Sequence, residues 1–251
     1  MATLEFALES AAGQRADNQD NVIQFESPFG SVFLVADGMG GYQGGALASK
    51  LVISKCEEVL MSLPDSTAPD VALKEAIQEA NRAVFTESRH GDKSLRKMGS
   101  TIVALLVSET QDGLLAIGAH VGDSRLYFVR DDRLYRLTED HTMIQQLIKN
   151  NTITEEQAED HPQASVLTRA LGHQEEIEVD LTSWMLLKPG DTFLLCSDGL
   201  SGYVDDETLR ATLTQREASA TLSRLLLDLA FSRGSDDNVS VMVARVVPWF
   251  D

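Results

Sequence analysis

The order of apolar runs predicts an α+β domain, on three observations. A meander of short strand-like runs opens the chain, two segments of helical period follow side by side, and a second block runs through strands and then helices to a closing strand. In order, Leu4, Phe6 and Leu8 alternate with Glu5 and Glu9 as in a half-buried strand, and Gly13–Asp20 is a polar loop. NVIQF, a Pro28 and Gly30 turn, and SVFLVAD continue the meander, with Val32–Ala36 running straight into Asp37. Glycines at 38, 40, 41, 44 and 45 bend the chain there and admit close backbone approach. Ala48, Leu51, Val52, Val59 and Leu60 mark a first helix that ends at Pro64. Leu73, Ile77, Ala80 and Val84 mark a second, over Pro69 to about Arg89.

STIVALLV, GLLAIGAHVG and SRLYFVR read as three successive strands, with Asp112-Gly113 as one turn and Asp131-Asp132 as the hairpin before RLYRL. Residues 138–164 turn polar and shift toward helix, with Thr154 and Gln157 at capping-box spacing. SVLTRALG and EIEVDLTSWMLL read as strands, Lys188–Asp191 as a turn, and TFLLCS as a strand that delivers Asp198-Gly199. Two helical stretches follow from Asp206, the second with Leu222, Leu225, Leu226 and Leu229 on one face. Gly234–Asn238 then opens the last strand, VSVMVARVV. No repeat or linker divides the 251 residues, so a single domain over 1–251 is expected.

Composition removes several function classes. With 39 acidic against 21 basic residues the formal net charge is −18, a surface that repels nucleic acid. No apolar run has membrane-spanning length, and the acidic N-terminus lacks a secretory pattern, so a cytoplasmic protein without membrane contact is expected. Cys56 and Cys196 are the only cysteines, which fits a reducing compartment. Ser62 and Gly202 stand where thiol phosphatase chemistry would need an arginine. The five histidines form no His-Glu-x-x-His motif, no G-x-S-x-G elbow occurs, and Gln43 stands where a dinucleotide fingerprint needs its last glycine.

What remains is a recurring placement of carboxylates. Asp37 and Asp198 follow apolar runs, Asp123 lies between two, and Asp237 precedes one. If these tips meet at one edge they cannot all ionise without compensation, and Mg²⁺ or Mn²⁺, which prefer carboxylate, carbonyl and water oxygens, would supply it.

Eight stretches then resemble, in order, the motifs of the metal-dependent serine/threonine protein phosphatase family, protein phosphatase 2C, in its bacterial branch. They are RADNQD (15–20), VADGMGG (35–41), GSTIVALL (99–106), VGDSR (121–125), TEDH (138–141), VLTRALG (166–172), LCSDGL (195–200) and SDDNVSV (235–241). The resemblance implies a four-layer α/β/β/α sandwich of two antiparallel sheets flanked by helices, with a metal site at one edge. It implies that Asp37 bridges two Mn²⁺ or Mg²⁺ ions, that the Gly38 carbonyl binds one, and that Asp198 and Asp237 complete the first site. Asp123 with Asp198 would hold a third ion, Asp20 would order water behind the ligands, Asn238 would support the site, and Arg15 would hold the substrate phosphate.

The implied reaction is hydrolysis of phosphoserine and phosphothreonine in proteins by a metal-activated water, opposing a bacterial serine/threonine kinase. The partners implied are phosphorylated proteins and that kinase, and a monomer is expected. Two positions depart from the family. Met39 stands where eukaryotic relatives carry a histidine proposed as the leaving-group acid, and a thioether has no proton to give; Tyr42 stands where bacterial relatives often carry histidine. Residues 141–165 are expected to form a substrate-selecting flap. The rival reading, a phosphoprotein-binding regulatory module on a degenerate phosphatase fold, would be favoured by loss of a ligand, and none is lost.

Overall fold

The computed structural model describes residues 2–41, 43–90, 92–158, 161, 163 and 166–248. One sheet is built from β1 (Ala2–Ala11), β12 (Val239–Pro248), β11 (Thr192–Cys196), β7 (Arg125–Arg130) and β8 (Arg133–Arg136), in that order. The other runs β10 (Met185–Leu186), β6 (Gly113–Val121), β5 (Ile102–Thr110), β3 (Gly30–Met39) and β2 (Asp20–Ser27), with β4 (Gly99–Ser100) against β3 and β9 (Asp180–Leu181) against β6. Every pairing is antiparallel.

Both faces of the central strands are covered, which is why they read as unbroken apolar runs rather than alternating ones. Phe33 and Val35 of β3 meet Phe193 and Leu195 of β11 and Met242 and Ala244 of β12 in the layer between the sheets. The intervening residues Val32, Leu34 and Ala36 pack against α1 (Gly44–Ser62) and α2 (Pro69–His90). On the far side Leu194, Cys196, Val241 and Val243 pack under α6 (Asp206–Leu213) and α7 (Ser219–Ser232). These are the four layers the resemblance implied. Asp37 has the parity of Phe33 and Val35, so the period of two places it over the seam between the sheets.

The hairpins follow the expected chemistry. Asp131 and Asp132, at φ 51° and 59°, form the two left-handed positions that match the twist of β7 and β8. Thr154 and Gln157 cap one another reciprocally, Thr154 N–H to Gln157 Oε1 at 3.0 Å and Gln157 N–H to Thr154 Oγ1 at 3.3 Å, opening α4 (Glu155–Ala158).

The expectation of strands over SVLTRALG and EIEVDLTSWMLL is corrected. In the first, the described residues form only single bridges, Thr142 with Leu167 and Ser100 with Leu171. In the second, β9 and β10 both pair with β6, but Thr182, Ser183 and Trp184 stand opposite Ile117 and Gly118, so one extra residue bulges out. Thr182 holds the bulge, its N–H donating to Gly118 O (2.9 Å) and its Oγ1 accepting from Gly118 N–H (2.8 Å). In the expected flap, α3 (Met143–Lys149) and α4 are formed, and part of 159–165 lies outside the described residues, as does Tyr42.

Candidate active site and metal centre

Four strand ends of the two sheets open on one edge. Asp37 lies near the end of β3, Asp123 just after β6, Asp198 just after β11 at the start of α5 (Asp198–Ser201), and Asp237 just before β12. All four line one cavity of about 400 Å³, together with Arg15, Gly38, Met39, Thr101, Leu167 and Asn238. Asp20 is the direct cross-strand partner of Asp37 and is 5% exposed.

Hydroxyl groups that were legible only as parts of strand motifs hold these carboxylates in place. Thr101 clips the backbone of Asp37 at both ends, its Oγ1 accepting from Asp37 N–H (3.1 Å) and its N–H donating to Asp37 O (2.8 Å). Thr101 Oγ1 also pairs with Ser124 Oγ at 2.7 Å, which ties the Asp37 tip to the residue after Asp123. Across the seam, Ser197 Oγ donates to Asp20 Oδ2 at 2.7 Å and accepts from Ser240 N–H at 3.0 Å. That bolt joins the two sheets directly behind Asp198. Sequence reasoning missed Thr101, Ser124 and Ser197; their only signal was position inside GSTIVALL, VGDSR and LCSDGL.

Gly38 is a close-approach glycine, since a Cβ there would lie 2.0 Å from Gly45 O. Its N–H donates to Gln19 O (3.1 Å), which fixes the turn into α1. Asn238 proves to hold the Arg15 loop: its Oδ1 accepts from Gln19 N–H (2.8 Å) and its Nδ2 donates to Ala12 O and Asp17 O (3.1 and 3.0 Å). Arg15 sits at the rim, Nε donating to Asp236 O (2.8 Å) and Nη2 to Asp237 Oδ2 (3.0 Å). Its Nη1 makes no hydrogen bond among the described residues.

The electrostatics call for cations. Burial pushes Asp20 up to about 6, against the pull of Ser197, and the charges of Asp198 and Asp237 add to the rise. Burial, then the charges of Asp198 and Asp140, lift Asp123 to about 7. Asp37 is raised well above its ordinary value by burial and then by Asp20, Asp198, Asp123 and Asp237. Asp198 is raised by burial and then by Asp237. Asp20 Oδ1 is buried without a hydrogen-bond partner among the described residues. Four carboxylates around a cavity, with the Gly38 backbone beside them and an orphaned buried oxygen behind, fit hard divalent ions such as Mg²⁺ and Mn²⁺.

A sequence profile of the protein phosphatase 2C family matches residues 9–229. The chain belongs to that family. Within it, the PstP serine/threonine protein phosphatase of Mycobacterium tuberculosis is 38% identical over 250 residues, covering 98% of this chain and 46% of that protein. The chain therefore spans less than half the length of PstP. The Stp serine/threonine phosphatase of Listeria monocytogenes is 33% identical over 235 residues, covering 92% of this chain and 91% of that one. The crystal structure of M. tuberculosis PstP superposes with a TM-score of 0.85 at 35% identity, over 98% of this chain and 99% of that chain. The PstP catalytic domain solved in complex with two manganese ions gives 0.83 at 34% identity, over 99% of this chain and all of that chain. The family relation accounts for the four layers.

Proposed function

We propose that this chain hydrolyses phosphoserine and phosphothreonine in proteins with Mn²⁺ or Mg²⁺. The observation that carries the reading is the convergence of Asp37, Asp123, Asp198 and Asp237 on one cavity with Arg15 at its rim, in a family with a manganese-loaded relative. Asp37 would bridge two ions, one of them also held by the Gly38 carbonyl. Asp198 and Asp237 would complete the first site, and Asp123 with Asp198 would hold a third ion. Ions so held lower the pKa of an attacking water and offset charge on the phosphoryl oxygens.

The chain's own groups do the rest. Arg15 offers a planar fork that matches two phosphoryl oxygens, which a lysine could not reproduce. Asn238 fixes the loop that carries Arg15. Asp20, anchored through Oδ2 by Ser197, keeps Oδ1 available as an acceptor for ordered water. Met39 lines the cavity and holds no proton for the leaving alkoxide.

The flap is part of the same proposal. Ile144, Gln145 and Ile148 of α3 and Ala158 of α4 line a larger cavity, about 770 Å³, that shares Asp123, Asp198 and Asp237 with the first. Side chains flanking the phosphoresidue would lie there, so exchanging 141–165 with a relative's segment should change peptide preference and spare hydrolysis of a small aryl phosphate. The chain acts as a cytoplasmic monomer opposing a serine/threonine kinase. No helix among the described residues is long and apolar enough to cross a membrane. Purified protein should release phosphate from a phosphothreonine peptide, lose activity in chelator and regain it with Mn²⁺. Metal-independent turnover would overturn the metal-dependent reading, and Asp198→Ala that leaves phosphate release intact while altering partner binding would overturn the catalytic assignment and favour the regulatory-module reading.

A further inference from the structure

Two motifs, TEDH at 138–141 and VLTRALG at 166–172, supply no group to the hydrolysis proposed above, and the structure joins them at His141, which contacts Gly122, the residue before Asp123. His141 grips Gly122 at two points. His141 N–H donates to Gly122 O (3.0 Å), and Gly122 N–H donates to His141 Nδ1 (3.0 Å). Gly122 has φ +107°, and a Cβ there would lie 2.6 Å from Thr101 Cγ2, so no other residue type can occupy this turn unstrained.

The imidazole is itself held from three sides. Its Nε2 faces Asp180 Oδ2 at 3.2 Å, and Asp180 Oδ1 accepts from Arg169 Nη1 at 2.5 Å. The His120 ring stacks on it at 4.5 Å between centroids and is fixed by a 2.9 Å contact from its own Nε2 to Glu139 O. His141 O then accepts from Thr168 N–H (2.8 Å), beside Leu167 of the cavity wall.

Hydrogen bonding sets the tautomer. Nδ1 accepts a backbone N–H and must keep its lone pair, so the proton is on Nε2, pointing at Asp180. His120, His141 and Asp180 gather potential ligand atoms within 4.8 Å of one another, yet coordination through Nε2 would force a proton onto Nδ1 against Gly122 N–H. The cluster is a hydrogen-bonded relay, and its output is the Gly122 backbone.

We propose that His141 is a positioning residue: braced by Asp180 and Arg169, it fixes the Gly122 backbone and so holds Asp123 at the spacing a further divalent ion requires. This rests on the cation role proposed for Asp123. Partners behind a metal ligand typically cost about 10–100-fold in affinity when removed.

The test is calorimetric titration of the full chain with Mn²⁺, alongside hydrogen exchange of the Gly122 amide in metal-free protein. Asp123→Ala should abolish one Mn²⁺ binding event and leave the others. His141→Gln, which cannot place an acceptor at the Nδ1 position, should weaken that event by about tenfold and speed Gly122 exchange. His141→Asn, whose Oδ1 takes the place of Nδ1 but which loses the bond to Asp180, should weaken the event less than His141→Gln does and keep the amide protected. Should His141→Gln fail to fold by circular dichroism, Asp180→Asn carries the test, since it keeps the ring and loosens its brace; it should weaken the same event.

If Asp123→Ala removes the event while His141→Gln, or in its place Asp180→Asn, changes neither affinity nor protection, the inference about His141 is overturned. Equal losses in His141→Asn and His141→Gln overturn it too. Mn²⁺ binding untouched by Asp123→Ala would instead overturn the cation role of Asp123.

Discussion

Asp37-Gly38 and Asp112-Gly113 are the same dipeptide at opposite strand ends of the same sheet, and they have opposite fates. Asp112 is exposed in the β5–β6 hairpin, its N–H donating weakly to Thr110 Oγ1 at 3.3 Å, and Gly113 serves the turn through φ +124°. Asp37 lies over the seam, paired across strands with Asp20 and clipped by Thr101, and Gly38 is needed because Gly45 O occupies the space of a side chain. Local chemistry is shared by the two sites. What differs is what the rest of the chain brings up against them, namely Asp20, Asp123, Asp198 and Asp237 around Asp37 and solvent around Asp112.

Substitution should widen that contrast most in catalysis. Asp37→Asn is expected to cost ~10³-fold or more in kcat/KM on a phosphothreonine peptide with Mn²⁺, since it removes the ligand proposed to be shared by two ions. Asp112→Asn should leave that constant unchanged. Equal effects in the two variants would mean that the seam confers nothing on Asp37.

The glycines separate next. Gly38→Ala forces a Cβ onto the Gly45 carbonyl and should destabilise the fold by about 3 kcal/mol or more in urea melts. Gly113→Ala meets only Leu186 Cδ1, at 3.7 Å, and should cost about 1–2 kcal/mol of backbone strain.

Buried and exposed titrating groups should also part company on acidification. Burial, then the nearby His120 and Arg169, lowers His141 from 6.5 to about 4. Between those values the unfolded chain binds the proton and the native chain does not, so stability falls as pH drops from 6.5 to 4. His141→Asn should flatten that part of the stability curve by about 1–3 kcal/mol, read from urea midpoints at pH 7 and pH 4.5. A curve of unchanged slope would contradict the burial of a neutral imidazole.

The smallest effect has an unusual sign. With chelator present and pH near 7, Asp37→Asn should raise stability by about 1 kcal/mol, because it removes a carboxyl whose ionisation is opposed first by burial and then by the neighbouring carboxylates. Asp112→Asn should do nothing under the same conditions, and a destabilised Asp37→Asn would argue against electrostatic strain at this edge.

The same contrast explains what was readable in the sequence. β3, β11 and β12 were legible because burial on both faces makes them unbroken apolar runs, and the acidic residues at their ends stood out against that background. The hairpin at Asp131-Asp132 and the cap at Thr154–Gln157 were legible because local backbone chemistry decides them. Register was not legible: nothing local places Asp20 opposite Asp37, or Ser197 within 2.7 Å of Asp20 across 177 residues. The segment 166–187 was misread for the same reason. Its apolar residues satisfy a strand pattern, while single bridges and a bulge, both set by distant partners, decide its backbone. Asn238 was expected to support the site, and the way it does so, by clamping the Arg15 loop, is visible only once Ala12, Asp17 and Gln19 are folded around it.

The most direct measurement of the central claim is anomalous diffraction at the manganese edge from crystals grown with Mn²⁺. Peaks within coordination distance of Asp37, Asp198 and Asp237, two of them sharing Asp37, are the predicted result. Manganese bound elsewhere, or none between these carboxylates at saturating Mn²⁺, would contradict the account.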